Sequence, residues 1–320
     1  MTTPAVSVVV GAYNAAPWIR DTLDSALAQT LDDTEVIVVD DGSTDATPQI
    51  LEAYGDAIRL VRQANQGPAA ARNRGVAEAR GTYVAFLDHD DLWLPDKLAR
   101  QLDALRQAPA AAWCYTDAAW FDSDTGQTMH LASQFAPPRE GDVLLPLFGG
   151  NFLTFASTLV RRDVLEDAGG FDTSPGVRNL DDWDLWLRVA ERHPLVYVDA
   201  PLVRYRVHAT QATQTMDLRR ALRDRHAVLR AARDRNPERL GPAYPEAAAR
   251  VDVSVARHLL NRDARPAARR LLARALARRP LHRPAWVFLT AAFLPRPVLR
   301  TLGRLRQAAQ RSRPADDPTR

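Results

Sequence analysis

The chain has 320 residues, 46% hydrophobic and 25% charged, enough for one large α/β domain with an extension or for two modest domains, and ordinary for a globular protein. One cysteine, Cys114, excludes an intrachain disulfide and fits a reducing compartment. The net charge is only +3, but aspartates cluster in the first two thirds and arginines crowd the last third. That asymmetry suggests an acidic partner for the C-terminal part: membrane headgroups, a phosphate-bearing lipid or another protein.

Val6–Val10 is a continuous β-branched run, expected of a strand buried on both faces. It follows no basic leader and is too short for a signal core. Pro17 opens a helix carrying Ile19, Leu23, Ala26 and Leu27 at helical spacing. Glu35–Val39 reads as the second strand. Asp45 caps a helix with Ile50, Leu51 and Tyr54, and Ile58–Val61 is the third strand. Pro68 starts an alanine-rich helix that Gly81 closes. Tyr83–Leu87 is the fourth strand, followed by a helix from Pro95 to about Arg106 and a strand around Ala112–Thr116. The stretch from Ser123 to Asn179 is turn-rich and irregular. Asp181–Arg192 is an amphipathic helix and Leu195–Val198 a short strand. From about Thr215 the chain reads as helical, arginine-rich and broken by prolines, with a disordered tail at 311–320. Ala285–Leu294 lies between Pro284 and Pro295 and is too short to span a bilayer, so no transmembrane helix is expected.

Strand–helix alternation of this kind argues for a mainly parallel sheet with right-handed crossovers, and such sheets bind ligands beyond the carboxyl ends of their strands. Three polar clusters fall there: Gly11–Asn14, Asp40–Ser43 and Asp88–Asp91. Asp88, Asp90 and Asp91 would repel one another unless a cation or hydrogen-bond donors compensate. One reading is that Asp90 binds Mg²⁺ or Mn²⁺ bridging a diphosphate; the other is a capped turn before the next helix. A carboxylate of Asp40–Asp41 can accept from a nucleobase or ribose, although taken alone the pair fits a simple turn better. Neither a Gly-x-Gly-x-x-Gly element nor a phosphate-loop Gly-x-x-x-x-Gly-Lys element is present, which disfavours dinucleotide enzymes and P-loop NTPases.

Taken in order, VSVVVGAYN (Val6–Asn14), EVIVVDDGSTD (Glu35–Asp45), NQGPAAARNRG (Asn65–Gly75), GTYVAFLDHDDLWLPDKL (Gly81–Leu98), GGFD (Gly169–Asp172), LDDWDLWLR (Leu180–Arg188) and YRVH (Tyr205–His208) resemble the inverting family-2 glycosyltransferases. The resemblance covers roughly the first 210 residues. It implies an α/β GT-A (nucleotide-diphospho-sugar transferase) fold, with a mainly parallel sheet flanked by helices over residues 1–214 and a helical extension over 215–310. It implies that Gly11, Tyr13 and Asp41 hold the base and ribose of the donor, with Arg72 near the nucleotide or its phosphates. Asp88 of the Asp-x-Asp element would contact the ribose and Asp90 the metal, Mg²⁺ or Mn²⁺.

Asp181-Asp182 stands where the family usually has Glu-Asp, and Asp182 is the expected general base; a helix start with well-placed acids is compatible with that role. His208 matches a histidine that completes the metal site or contacts the phosphates, against a purely structural role. Arg178 is a further basic residue for the diphosphate or acceptor. No Gln-x-x-Arg-Trp element follows the Asp181-Asp182 region, which favours transfer of a single sugar to a glycan or lipid-linked hydroxyl over extrusion of a polymer.

Asp117 is placed near the acceptor. Trp113, Tyr115, Trp120, Phe121, Phe152, Phe155, Trp183 and Trp186 are read mainly as core, with an acceptor platform as the alternative. A nucleotidyltransferase and a non-catalytic sugar-nucleotide binder on the same fold are the rival functions; nucleic acid is not an expected partner. The expected location is cytoplasmic. For the basic C-terminal helices, peripheral contact with the inner face of the membrane is weighed against simple packing with solvated arginines.

Overall fold

The computed structural model describes residues 3–174, 177, 180–209, 211 and 217–294. Its strands are β1 Val6–Ala12, β2 Thr34–Asp40, β3 Arg59–Arg62, β4 Tyr83–Asp88, β5 Leu92–Trp93, β6 Trp113–Asp122, β7 Thr128–Leu131, β8 Thr158–Arg161 and β9 Leu195–Val207. The helices are α1 Ile19–Leu27, α2 Thr47–Glu52, α3 Pro68–Glu78, α4 Lys97–Gln107, α5 Leu144–Phe148, α6 Arg162–Asp167, α7 Asp181–Ala190, α8 Leu218–Arg235, α9 Pro237–Leu240, α10 Tyr244–Asn261, α11 Arg265–Arg278 and α12 Arg283–Ala291.

Among the described residues the strands form one sheet in the order β3-β2-β1-β4-β8-β6-β9-β5, with β7 on β6. The first four run parallel, as the alternation predicts. The other half is mixed: β8 is antiparallel to both β4 and β6, β9 is parallel to β6, and β5 is antiparallel to β9. Chain direction across the sheet reverses at β1, which lies between β2 and β4, so their carboxyl ends frame a switch-point crevice. Register places Gly11 opposite Asp88 and Ala12 opposite Asp40. The expected clusters therefore share one edge.

Strands β1 and β2 are buried. Val6, Val8, Val9, Val10, Ile37, Val38 and Val39 are all at most 1% exposed, and each such side chain contributes about 1.5–3 kcal/mol. Helix α1 covers the sheet with Ile19, Leu23 and Ala26. Helix α3 approaches β1 so closely that a Cβ on Gly75 would stand 2.3 Å from Val9 Cγ1. Helix α7 is fixed by Trp186, whose ring stacks 5.7 Å from that of Trp113, and by the Trp183 indole, which donates to the Leu147 carbonyl at 2.8 Å. That anchoring sets where the helix's acidic first turn lies.

The chain divides into two compact units, residues 1–243 and the part from Tyr244 onward. The first includes α8, whose Arg235 reaches Asp184 of α7 and Glu191 just past it. The boundary expected at 214/215 touches residues 212–216, which lie outside the described residues, as do Arg178, 295–310 and the tail 311–320. The second unit packs α10, α11 and α12 around Ala249, Val253, Ala256, Ala268, Leu272 and Ala285. Its fully buried Asp252 is clamped by Arg274 and Arg278; breaking such a pair costs about 3–5 kcal/mol. Among the described residues no helix is long and apolar enough to cross a membrane.

Candidate active site

The loops after β1 and β2 are stapled to each other. Asn14 takes a left-handed conformation (φ 48°). Its N–H donates to Ser43 Oγ at 3.0 Å, its side-chain oxygen accepts from the Thr44 N–H at 2.8 Å, and the Ala15 N–H donates to Thr47 Oγ1 at 2.8 Å. Asp40 Oδ1 accepts from the Ser43 N–H and closes the turn. Asp41 faces the other way. It accepts from Gln63 Nε2 and the Gln66 N–H on one oxygen and from the Gly67 N–H on the other, at 2.8–2.9 Å. The carboxylate thus shapes the loop that launches α3. Three donors leave one of its four lone-pair sites open. Tyr13 is 44% exposed beside this edge, and the Gly11 carbonyl oxygen lies 3.3 Å from His89 Nδ1.

Helix α3 delivers Arg72. Its guanidinium donates to Asp181 Oδ2 at 2.6 Å and to Asp88 Oδ1 at 3.0 Å, and sits 3.9 Å over the Phe155 ring. Residues from α3, β4 and α7, 109 positions apart at the extreme, meet at one cation. Burial works against the charge of Arg72, but Asp181, Asp88 and Asp182 outweigh it and raise its pKa. The guanidinium is a permanent positive centre between the two acidic elements.

The carboxylates of Asp88–Asp91 turn to separate partners, although their mutual repulsion persists. Asp88 turns to Arg72, while burial still pushes its pKa upward. Asp90 Oδ2 lies 3.0 Å from His208 Nε2, and both side chains are largely shielded. Asp91 is fully buried, accepts from the Arg206 N–H at 2.9 Å, and has its other oxygen unpartnered. Burial, with Asp90 and Asp88 nearby, drives its pKa well up. The His208 ring packs 4.1 Å from that of Trp18.

Asp182 follows Asp181 in the first turn of α7. One of its oxygens accepts from the Trp183 N–H at 2.7 Å and the other from Asn151 Nδ2 at 3.0 Å. Enclosure of the carboxylate and the adjacent Asp181 push its pKa up to about 7, with Arg72 opposing. A carboxylate in that range accepts a proton near neutral pH far better than one at 3.8.

Sequence reading alone did not find Asn151, Trp18 or Arg206. Arg206 donates from Nε to the Asp90 carbonyl at 2.7 Å and thereby holds the acidic turn. Each acts through a contact made only in three dimensions. Asp117 is buried and accepts from the Ala118 and Ser133 N–H groups, so it braces the strand. Trp113, Tyr115, Phe121, Phe155, Trp183 and Trp186 are buried, with Trp120 and Phe152 half-buried.

Among the described residues no group of three or more His, Cys, Asp or Glu side chains forms a metal cage. The Asp90–His208 pair supplies one hard oxygen and one imidazole nitrogen. The Asp90 carboxylate is the kind of ligand Mg²⁺ or Mn²⁺ takes alongside phosphate oxygens and water, whereas the His208 imidazole is a softer donor than such ions usually take.

Fold and site together define a GT-A transferase architecture. The profile of Glycosyl transferase family 2 matches residues 7–169, and the chain belongs to that family. The putative glycosyltransferase EpsH of Bacillus subtilis (strain 168) is 34% identical over 222 residues, 67% of this chain and 64% of that protein; the chain thus spans a little under two thirds of that relative's length. The putative teichuronic acid biosynthesis glycosyltransferase TuaG of the same organism is 45% identical over 112 residues, 34% of this chain and 44% of the relative. Among solved structures, S. aureus TarS 1–349 in complex with UDP-GlcNAc superposes with a TM-score of 0.60 at 19% identity, over 90% of this chain and 89% of that one. The mannosyltransferase PcManGT from Pyrobaculum calidifontis, in complex with GDP-Man and Mn²⁺, gives 0.55 at 23% identity, over 91% and 85%.

Proposed function

We propose that this protein transfers a single sugar from a nucleoside-diphosphate donor to an acceptor hydroxyl, with inversion at the anomeric carbon, in the assembly of a glycan or glycoconjugate. The observation that carries the reading is the meeting of the two acidic elements at Arg72, whose guanidinium bridges Asp88 and Asp181; in this reading Asp88 and Asp90 belong to the donor side and Asp182 to the acceptor side. Structural neighbours crystallised with UDP-GlcNAc and with GDP-Man support the donor class, and a relative named for teichuronic acid biosynthesis supports the pathway class.

In this reading Gly11, Tyr13 and Asp41 line the base and ribose end of the donor, and Asp88 reaches the ribose. Asp90 and His208 would hold a divalent ion. When bound, the ion would neutralise charge on the departing diphosphate, the Lewis-acid role. Arg72 offers a fixed positive charge beside the same region. Asp182, kept half-ionised near neutrality, takes the proton of the acceptor hydroxyl. The acceptor oxygen then forms a bond to the anomeric carbon from the face opposite the diphosphate, and the anomeric C–O bond breaks with its electron pair leaving on the nucleoside diphosphate. We place the protein in a reducing, cytoplasmic setting, as its single cysteine suggests.

Product analysis tests the proposal. Incubation with a sugar nucleotide and Mn²⁺ should release nucleoside diphosphate, and NMR should show the opposite anomeric configuration in the product. Release of pyrophosphate would assign the fold to nucleotidyl transfer. Donor binding without any turnover would assign it to a non-catalytic binder.

A further inference from the structure

Between Tyr244 and Leu294 the sequence has ten arginines and three acidic residues, Glu246, Asp252 and Asp263. Each acid is engaged: Glu246 by Arg250 and Arg279, Asp252 by Arg274 and Arg278, and Asp263 by Arg265. Arg257, Arg262, Arg270 and Arg283 are exposed and, among the described residues, have no carboxylate partner. This unit therefore carries cations that its own fold does not neutralise.

Helix α12 adds an apolar component. Ala285, Phe288 and Leu289 turn toward the core with α10 and α11. The opposite face carries Trp286, Val287 and, just past the helix, Phe293, which are 52%, 62% and 63% exposed; Leu281 before it is 90% exposed. Trp286 and Phe293 are seven residues apart and Arg283 lies three and four residues before Trp286 and Val287, so these residues fall on the outward half of the helix, while Leu281 is exposed just before it. The Trp286 indole donates to the Pro280 carbonyl at 2.7 Å, which fixes the ring with half its surface outward. Arg269 stacks 3.9 Å over the Phe293 ring and donates to the Ala292 carbonyl, placing a second cation at the far end.

We propose that the outer face of α12 docks this protein on an anionic membrane surface, with Trp286, Val287, Phe293 and Leu281 entering the boundary between headgroups and acyl chains and Arg283 and Arg269 meeting lipid phosphates. Tryptophan has an apolar body and a polar tip suited to that boundary, and arginine spans it with an apolar stem. A single weak signal gives only marginal binding, and an apolar patch combined with unneutralised cations supplies two. Nucleic acid fits less well, because four exposed large apolar side chains would gain nothing from a phosphate backbone. The inference does not rest on the donor chemistry, since every residue in it belongs to the second unit.

The test is flotation of the full chain with vesicles of phosphatidylcholine alone, or of phosphatidylcholine with phosphatidylglycerol, at low and high salt. Binding is expected only to the anionic vesicles, and salt should release it. Arg283→Gln should weaken binding about fivefold, the weight of one charge near such a surface. Trp286→Ser combined with Phe293→Ser should weaken it about tenfold or more, with circular dichroism confirming the fold.

Equal binding to neutral vesicles, no binding at all, or an unaffected double variant would overturn the inference. So would light scattering showing a dimer that the double variant dissolves, or a nucleic acid that displaces the protein from vesicles through the same residues. Turnover on a soluble acceptor is measured in parallel. Vesicle binding lost with turnover intact bears on this surface alone; turnover absent with vesicle binding intact bears on the transferase reading alone.

Discussion

Asp182 is gripped at both oxygens, by a backbone N–H and by the Asn151 amide, yet its pKa is pushed up to about 7 by enclosure and by Asp181. Two consequences follow from one carboxylate. As the proposed base it must be ionised, so kcat/KM should rise with pH through about 7 and then level. Asn151→Ala removes a donor that favours the ionised form, and the midpoint of that rise should move to higher pH. A profile unchanged in Asn151→Ala would separate Asn151 from the base.

The second consequence concerns stability. The folded pKa lies above the ordinary 3.8, so folding binds a proton between those values and stability falls as pH rises from about 4 to about 7. Asp182→Asn should therefore lower turnover by about 10²–10⁴-fold while raising the melting temperature at pH 8 and leaving it nearly unchanged at pH 4. Loss of stability at pH 8 in that variant would contradict the shift. Asp88, Asp90 and Asp182 stood out as candidates because acids cluster at strand and helix ends, and Arg72 does join the two acidic elements. Asn151 did not stand out, because an asparagine after a glycine in a turn-rich stretch looks like any loop residue until α7 lies against it.

Among elements, β1, β2 and β4 were legible nearly to the residue, since buried strands show as unbroken apolar runs; β3, at the sheet edge, is only partly buried. Strand β9 was not legible. Its first four residues look like a strand, but Asp199, Pro201, Arg204 and Arg206 break the pattern over the remainder, although it pairs with β6 through Val207. The compensation is tertiary: register shifts in β6 admit the irregularity, and Arg204 and Arg206 lie over the Phe121 ring. Strands β7 and β8 hid within the turn-rich stretch for the same reason, being four residues each.

Helix α4 hides a different feature. Lys97, fully buried, donates to Gln101 Oε1 at 2.7 Å and lies 4.0 Å from the Trp93 ring centroid. The one titratable group facing it is Cys114, whose thiol burial pushes up to about 12. Burial lowers the Lys97 pKa to about 7, whereas the unfolded chain holds its proton to about 10.4. The unfolded state thus binds more protons between those values, and stability drops as pH falls from about 10 to 7. Lys97→Met, of similar length and without the charge, should raise the melting temperature at pH 6–7. The gain should shrink toward pH 10. A variant less stable than the parent at pH 6 would show that the Gln101 contact outweighs desolvation.

At the scale of the whole molecule, the proposed donor region would be assembled from loops that follow β1, β2 and β4 together with residues from α3, α7 and the end of β9. A ligand that bridges them binds the folded chain and not the unfolded one, so it must stabilise by mass action. At a hundredfold excess over its dissociation constant that amounts to about 2.7 kcal/mol, and for a unit of this size about 2–4 °C accompanies each kcal/mol. A thermal-shift panel of UDP-, GDP- and dTDP-sugars with Mn²⁺ should therefore single out one base by a rise of about 5–10 °C. Chelation with EDTA should erase most of it, because in the proposed site Asp90 and His208 would reach the diphosphate only by way of an ion. Asp90→Ala should likewise lose the shift, whereas Asp182→Asn, proposed for the acceptor side, should keep it. A shift that survives both EDTA and Asp90→Ala would mean that the fixed cation of Arg72, already held between Asp88 and Asp181, carries the diphosphate without a metal.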